Sequence, residues 1–371
     1  MKGYQFEDTQ GTFHLKKAEN ISYLYFPIAG EAGLKSSFTP NLGGDAKIDQ
    51  NTFLLEPVSA ENLVNNRNSR NFWCNVKGIG SWSLTGHSAE ELSKKFTEMQ
   101  DDSEVTAGFM WQKTTRESKK YQLRGEILSF IPVDKNVEIM LVTITNTGRM
   151  AQTVTPTAAI PLYGRSADNI RDHRHVTSLL HRIETTDTGV LVTPTLSFDE
   201  RGHQVNHMTY YCVGWSGNGE KPVDFYPTAE DFVGEGGNFE RPYAIVKNAE
   251  GVKAGTKIEG LEAVGGLHFS EITLEPEEEC SYLIFTGITE DIQEIRNLSK
   301  TYTTREKVLE ELEKTKAYWQ EKVNVAYHTG DSDFNQFMHW VSFQPILRRI
   351  YGCSFLPHHD YGKGGRGWRD L

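Results

Sequence analysis

The sequence predicts a large antiparallel β-sandwich followed by helices. Three observations carry this expectation. Short runs rich in β-branched residues recur between turn residues up to about residue 290. Apolar residues at helical spacing take over after that point. In the middle, Val137-Glu-Ile-Met-Leu-Val-Thr-Ile-Thr145, the turn Asn146-Thr-Gly148 and Gln152-Thr-Val-Thr-Pro-Thr-Ala-Ala-Ile160 read as one hairpin.

Further strands are expected at residues 189–198, 208–213, 267–274 and 280–285. Residues 214–266 are rich in Gly, Glu and Asn and read as long loops, of the kind that carry contacts on a sandwich. Thr303-Thr-Arg-Glu306 has capping-box spacing. Val308, Leu312, Trp319 and Val323 then share one helical face. Glu310, Glu311 and Glu313 belong to the solvated face of that helix. Asp331-Ser-Asp333 should start another helix, with Phe334, Phe337, Met338 and Val341 as its apolar stripe and Pro345 as a kink or restart. The predicted division is a β-sandwich domain at 1–290, a helical linker at 291–328 and a further helical region from 329 to 371. No internal repeat or low-complexity tract interrupts it.

Composition narrows the class. With 371 residues, 37% of them hydrophobic, the chain can bury a sizeable core in two or three domains. A net charge of −11 argues against a nucleic-acid partner, which needs a basic face. Residues 1–8 lack the apolar core of a signal peptide, and no window approaches about 18 apolar residues, so no membrane is expected. Cys74, Cys212, Cys280 and Cys353 are far apart and read as free thiols in a reducing cytoplasm.

Chemistry concentrates at the end of the chain, in Cys353-Ser-Phe-Leu-Pro-His-His-Asp-Tyr-Gly-Lys-Gly-Gly-Arg-Gly-Trp-Arg-Asp370. Gly362, Gly364, Gly365 and Gly367 let backbone and ligand approach closely. Lys363, Arg366 and Arg369 are donors suited to phosphate or sugar hydroxyls. Trp368 offers a platform for a sugar face, and Asp370 accepts from hydroxyls. Adjacent His358 and His359 diverge on a regular backbone, so His359 or Asp360 can reach substrate. The segment lacks P-loop spacing. Its alternatives are a solvated turn and, for Asp370, a helix cap. A second cluster, Asp172-His-Arg-His175 with His181, resembles a metal site, but no carboxylate or Cys at ligand spacing completes it. A polar surface loop is expected there and no metal.

The string from Tyr351 to Asp370 resembles the opening of the catalytic domain in the cellobiose phosphorylase family (glycoside hydrolase family 94, formerly glycosyltransferase family 36). Similar N-terminal strings are Tyr23-Leu-Tyr-Phe-Pro27, Ser36-Ser-Phe-Thr-Pro40, Leu42-Gly-Gly-Asp45 and Ser69-Arg-Asn-Phe-Trp73. The resemblance implies a supersandwich-like domain, a helical linker and an α/α six-hairpin barrel, of which residues 329–371 would be the start. It implies phosphorolysis of a β-linked gluco-disaccharide or oligosaccharide to an α-sugar 1-phosphate, with inversion. Phosphate is the nucleophile and co-substrate, so one general acid suffices and no other cofactor is implied. Asp370 would bind the cleaved sugar, helped by Arg366, with Lys363 as second choice. The acid is expected downstream, in an Asp-Asp-x-x-Trp segment absent from these residues, so no catalytic residue is assigned here. The chain then reads as the N-terminal portion of a homodimeric enzyme, inactive alone. The alternative is a non-catalytic carbohydrate-binding or interaction module, and a weaker one a hydrolase on a related barrel. A reading frame continuing past Leu371 favours the enzyme, and a stop codon the module. The linkage stays open among β-1,4, β-1,3 and β-1,2.

Overall fold

The structure is a computed structural model that describes residues 3–21, 24–58, 69–170, 174–199 and 202–352. Among these residues the named strands pair antiparallel. An eleven-stranded sheet has at its centre Trp111–Ser118, Leu123–Phe130, Val137–Asn146, Glu279–Thr289 and Thr209–Ser216, in that spatial order. A six-stranded sheet is built around Gln152–Leu162, which lies between Ala263–His268 and Asn71–Val76. A four-stranded sheet holds Phe26–Ala29, Lys35–Phe38, Gly44–Asp49 and Thr52–Leu55.

Why Val137–Asn146 reads as an almost unbroken apolar run is explained by its two covered faces. Side chains alternate along a strand. Met140, Val142 and Ile144 enter the core shared with Val76, Ile160 and Leu267 of the facing sheet. Val137, Ile139 and Leu141 meet Ile295, Leu298, Val308 and Leu312 of the helices beyond residue 290. Pairing of Leu141 with both Leu128 and Leu283 continues the helix-facing layer across three strands.

The last strand ends at Thr289 and the helix Ile292–Thr301 begins after the N-cap Asp291, whose carboxylate accepts from Gln293 N at 2.8 Å. The next helix is Arg305–Glu321, and here the expected capping box does not form. The N-cap is Thr304, one residue later than the spacing suggested, and its side chain caps no backbone N–H. Glu306 then sits too early to reach back, and its carboxylate bonds the Thr304 side chain instead.

The runs on either side of Asn146-Thr-Gly148 do not pair as a hairpin: Val137–Asn146 pairs with Leu123–Phe130 and Glu279–Thr289, and the chain crosses to the facing sheet for Gln152–Leu162. Other expectations are also corrected in detail. The 189–198 run is two strands, Gly189–Val192 and Leu196–Asp199, separated around Pro194, which cannot donate to a ladder. The 267–274 run is likewise divided into Ala263–His268 and Ile272–Leu274. Residues 214–266 are not long loops. They contain the strand Asp224–Thr228 and the short helices Ala229–Val233 and Tyr243–Lys247. Phe225 and Tyr226 are buried by pairing with Leu267 and Gly266, a long-range gain that local composition does not show.

The final helix, Ser332–Tyr351, starts on the Asp331 cap (3.0 Å to Phe334 N) and runs on through Pro345. Its buried face is not the expected stripe. Gln336, Phe343 and Leu347 are buried, while Phe334, Phe337 and Val341 are 47%, 53% and 41% exposed. Trp340, held by Phe13, Phe26 and Phe109, sets that rotation. Phe337→Lys in this chain should therefore change urea-unfolding stability by no more than about 0.5 kcal/mol. A loss well above about 1 kcal/mol would place Phe337 in an internal contact. No helix among the described residues is long and apolar enough to cross a membrane.

Candidate functional site

His359, Asp360, Lys363, Arg366, Trp368, Arg369 and Asp370 lie outside the described residues. The structure does describe the stem from which their segment leaves. The final helix ends at Tyr351, and Gly352 follows with φ 72°, a left-handed value that suits glycine. Its last turn is fastened to the hairpin formed by Phe26–Ala29 and Lys35–Phe38. The Tyr351 hydroxyl lies 2.7 Å from the Ile28 carbonyl and 2.6 Å from the Ser36 carbonyl, so one proton is shared between two acceptors. Lys35 Nζ donates to the Ile350 carbonyl at 2.9 Å, satisfying an oxygen that the helix end leaves free. Glu31, in the hairpin turn, accepts from both terminal nitrogens of Arg349 (2.9 and 2.6 Å) and from the Tyr318 hydroxyl (2.9 Å).

Under this hairpin lies a buried ionic network assembled from the N-terminal strings. Arg70 and Glu138 have fully buried side chains. Arg70 Nε donates to Glu138 Oε1, and Nη2 donates to Oε2 at 3.0 Å. Ser36 Oγ donates to the same Oε2 at 2.5 Å. Arg70 also donates to the carbonyls of Gly44 (2.9 Å) and Asp45 (3.3 Å). The Phe38 ring lies 4.8 Å from the guanidinium. Lys47 pairs with Asp45 at 3.5 Å. A Cβ on Gly44 would lie 1.9 Å from the Ser37 carbonyl, which explains the second glycine of Leu42-Gly-Gly-Asp45.

Burial pushes the Asp45 carboxyl up, opposed by Lys47. Burial, and then the negative charge of Asp45 and Glu138, holds the Tyr351 hydroxyl well above its ordinary range, so it stays a donor. Among the described residues, the network underlies the hairpin that holds the helix end. Sequence reasoning missed Glu138, although it is the one charged residue inside the apolar run 137–144.

The second cluster is resolved differently. Asp172 and His173 lie outside the described residues, and His175 falls in a short helix, Arg174–Thr177. His181 is fully buried, not in a surface loop. Arg165 Nε donates to its Nε2 at 3.3 Å, and its Nδ1 lies 3.1 Å from the Leu261 carbonyl. Arg165 also pairs with Glu262 at 2.5 Å and donates to Thr177 Oγ1 at 3.2 Å. His181 therefore serves this ionic network. Burial and the adjacent Arg165 charge lower its pKa to about 3.

The ordinary histidine pKa of about 6.5 applies to the unfolded chain, which takes up a proton that the folded chain refuses. The contribution to stability is full above pH 6.5 and is lost as pH falls towards 3. At pH 5 it amounts to a loss on the order of 2 kcal/mol. Urea unfolding at pH 7 and pH 5 should show that loss in the parent and a smaller one in His181→Gln. Equal slopes in both proteins would contradict the assignment.

Comparison with known families decides the kinship. The model of the glycosyl hydrolase 94 supersandwich domain matches residues 55–305, more than half of the chain. The chain belongs to the glycosyl hydrolase 94 family. No curated protein sequence matches it. Among solved structures, it is similar to one assigned as a kojibiose phosphorylase from the human microbiome. The TM-score there is 0.49 at 10% identity, over 93% of this chain and 42% of that one. It is also similar to a bacterial glucoamylase complexed with acarbose (TM-score 0.46, 10% identity, 91% and 41% covered). A third is an aldose 1-epimerase assignment from Escherichia coli K12 (TM-score 0.36, 10% identity, 72% and 99% covered). The chain thus spans under half the length of the first two. The glycosyl hydrolase 94 membership makes the antiparallel architecture described above a supersandwich, with a few C-terminal helices.

Proposed function

We propose that this glycosyl hydrolase 94 chain is the supersandwich, linker and opening barrel segment of an inverting β-glucoside phosphorylase. The supersandwich match over residues 55–305 carries the reading. It is supported by the string from Tyr351 to Asp370, whose stem is fastened to the N-terminal strings. In this reading the sandwich occupies 1–290, the linker 291–328 and the start of an α/α barrel 329–371.

Inorganic phosphate attacks the anomeric carbon of a β-linked glucoside from the face opposite the leaving sugar. A downstream carboxylic acid gives its proton to the leaving oxygen. Asp370 accepts hydroxyl hydrogen bonds from the cleaved sugar and Arg366 donates to it, with Lys363 as the second candidate. Trp368, Arg369, His359 and Asp360 line the same subsite. No cofactor beyond phosphate takes part. A homodimer in the cytoplasm fits this reading, and Cys74 and Cys212 are buried free thiols, which suit a reducing compartment.

The 371-residue chain alone should release no glucose 1-phosphate from cellobiose, laminaribiose or sophorose with phosphate present. Turnover clearly above background by the purified chain would overturn the placement of the acid outside it.

A further inference from the structure

We propose that a cleft at the far end of the sandwich is a second, independent binding site for a neutral sugar. The cleft encloses about 450 Å³, within the usual range for small-molecule sites. Its walls are the turn after the strand Thr209–Ser216, the beginning of Glu279–Thr289 and the first turn of the helix Arg305–Glu321.

The walls are built, not left over from loose loops. Ser216 Oγ accepts from the backbone N–H of Asn218 (3.3 Å) and Glu220 (3.0 Å), which fixes the turn. Gly217 N donates to the Ser281 carbonyl at 2.7 Å. A Cβ on Gly217 would lie 2.1 Å from Ser281 Oγ, so glycine lets the turn close on that hydroxyl as it is now oriented. At the base, the buried rings of Phe269 and Tyr282 pack 4.6 Å apart.

Arg305 supplies an oriented donor. One terminal nitrogen is held by Glu279 at 2.5 Å, while Nε is buried and has no partner among the described residues. A guanidinium has five donors in a fixed fork, so anchoring one of them aims the others. Asn218, Ser281 and Arg305 therefore offer donors beside the carboxylate of Glu279, above an apolar base. Vicinal hydroxyls, which both donate and accept, match that mixture.

Charge selects among ligands. Five glutamates line the cleft against two cations, Lys221 and Arg305, among the described residues. That balance repels phosphate and other anions. The anchored guanidinium disfavours a cation at the same place. A neutral polyhydroxylated ligand remains.

Position makes this site separate from the stem of the glycine-rich segment. The cleft lies at the Glu279 end of the strand ladder, where Glu279 pairs with Thr145. The hairpin that holds the final helix lies at the opposite end, with Leu34 N bonded to Asn136. The strand Val137–Asn146 between them has ten residues, or roughly 30 Å.

The test is saturation-transfer NMR and calorimetry on the 371-residue chain with cellobiose, cellotetraose and inorganic phosphate as probes. Expected is saturable sugar binding with Kd on the order of 1 mM and no competition by phosphate. Arg305→Ala and Asn218→Ala should each weaken it about fivefold at unchanged thermal melting. Asp370→Asn should leave this binding intact, so a failure here is distinct from a failure of the phosphorylase reading. The proposal is overturned by absence of saturable binding up to roughly 50 mM, by binding indifferent to both variants, by displacement with phosphate, or by loss in Asp370→Asn.

Discussion

Glu138→Gln is expected to destabilise the chain by about 3–5 kcal/mol. The glutamate and Arg70 are both wholly buried, and Glu138 accepts two hydrogen bonds from the guanidinium and one from Ser36. Glutamine keeps the shape and one acceptor. It removes the only carboxylate bonded to Arg70 among the described residues and leaves a buried positive charge uncompensated. The double variant Arg70→Met/Glu138→Leu removes both charges and should lie within about 2 kcal/mol of the parent, because apolar replacement avoids the desolvation cost altogether. Urea unfolding of all three proteins, at unchanged m-value, measures this. A Glu138→Gln loss below about 1 kcal/mol would mean that water reaches the pair.

A comparable loss, in activity rather than stability, is expected for Asp370→Asn in the complete gene product. A carboxylate holding sugar hydroxyls strengthens its grip as the ring flattens towards an oxocarbenium-like state. Each charge-assisted bond is worth roughly 1.5–3 kcal/mol, or about one to two decades in rate. Arg366→Ala should weaken binding of the same sugar, and Lys363→Ala should do less. The reading is kcat/KM for phosphorolysis, with thermal melting as the folding control. A well-folded Asp370→Asn protein within about a factor of two of the parent would make Asp370 only a helix cap.

The parts of the fold legible in the sequence were those set by local chemistry. The two strands on either side of Asn146-Thr-Gly148 were visible because turn residues and β-branched runs adjoin, but their pairing was not: they form no hairpin and belong to facing sheets. The change to helices past residue 290 was visible from spacing, and the chain enters them after Thr289. What was hidden depends on distant partners. Asp224–Thr228 is a strand because Ala263–His268 lies beside it. The final helix turns Phe334 and Phe337 outwards because Trp340 finds Phe13, Phe26 and Phe109, far away in sequence. Four apolar positions at helical spacing specify a face, but not which face is covered. The site was legible in a different way. The glycine-rich segment announced itself by composition, whereas the network that holds its stem did not. Ser36, Asp45, Arg70 and Glu138 are scattered through more than a hundred residues and converge only in the folded chain.

The central claim is that this supersandwich serves an inverting β-glucoside phosphorylase. The most direct measurement is proton NMR of the complete gene product acting on a β-linked glucose disaccharide in phosphate buffer. The account predicts appearance of α-glucose 1-phosphate, recognised by its anomeric proton coupled to phosphorus, with equimolar release of the second sugar. Formation of the β-anomer, or of free glucose without incorporation of phosphate, would contradict it.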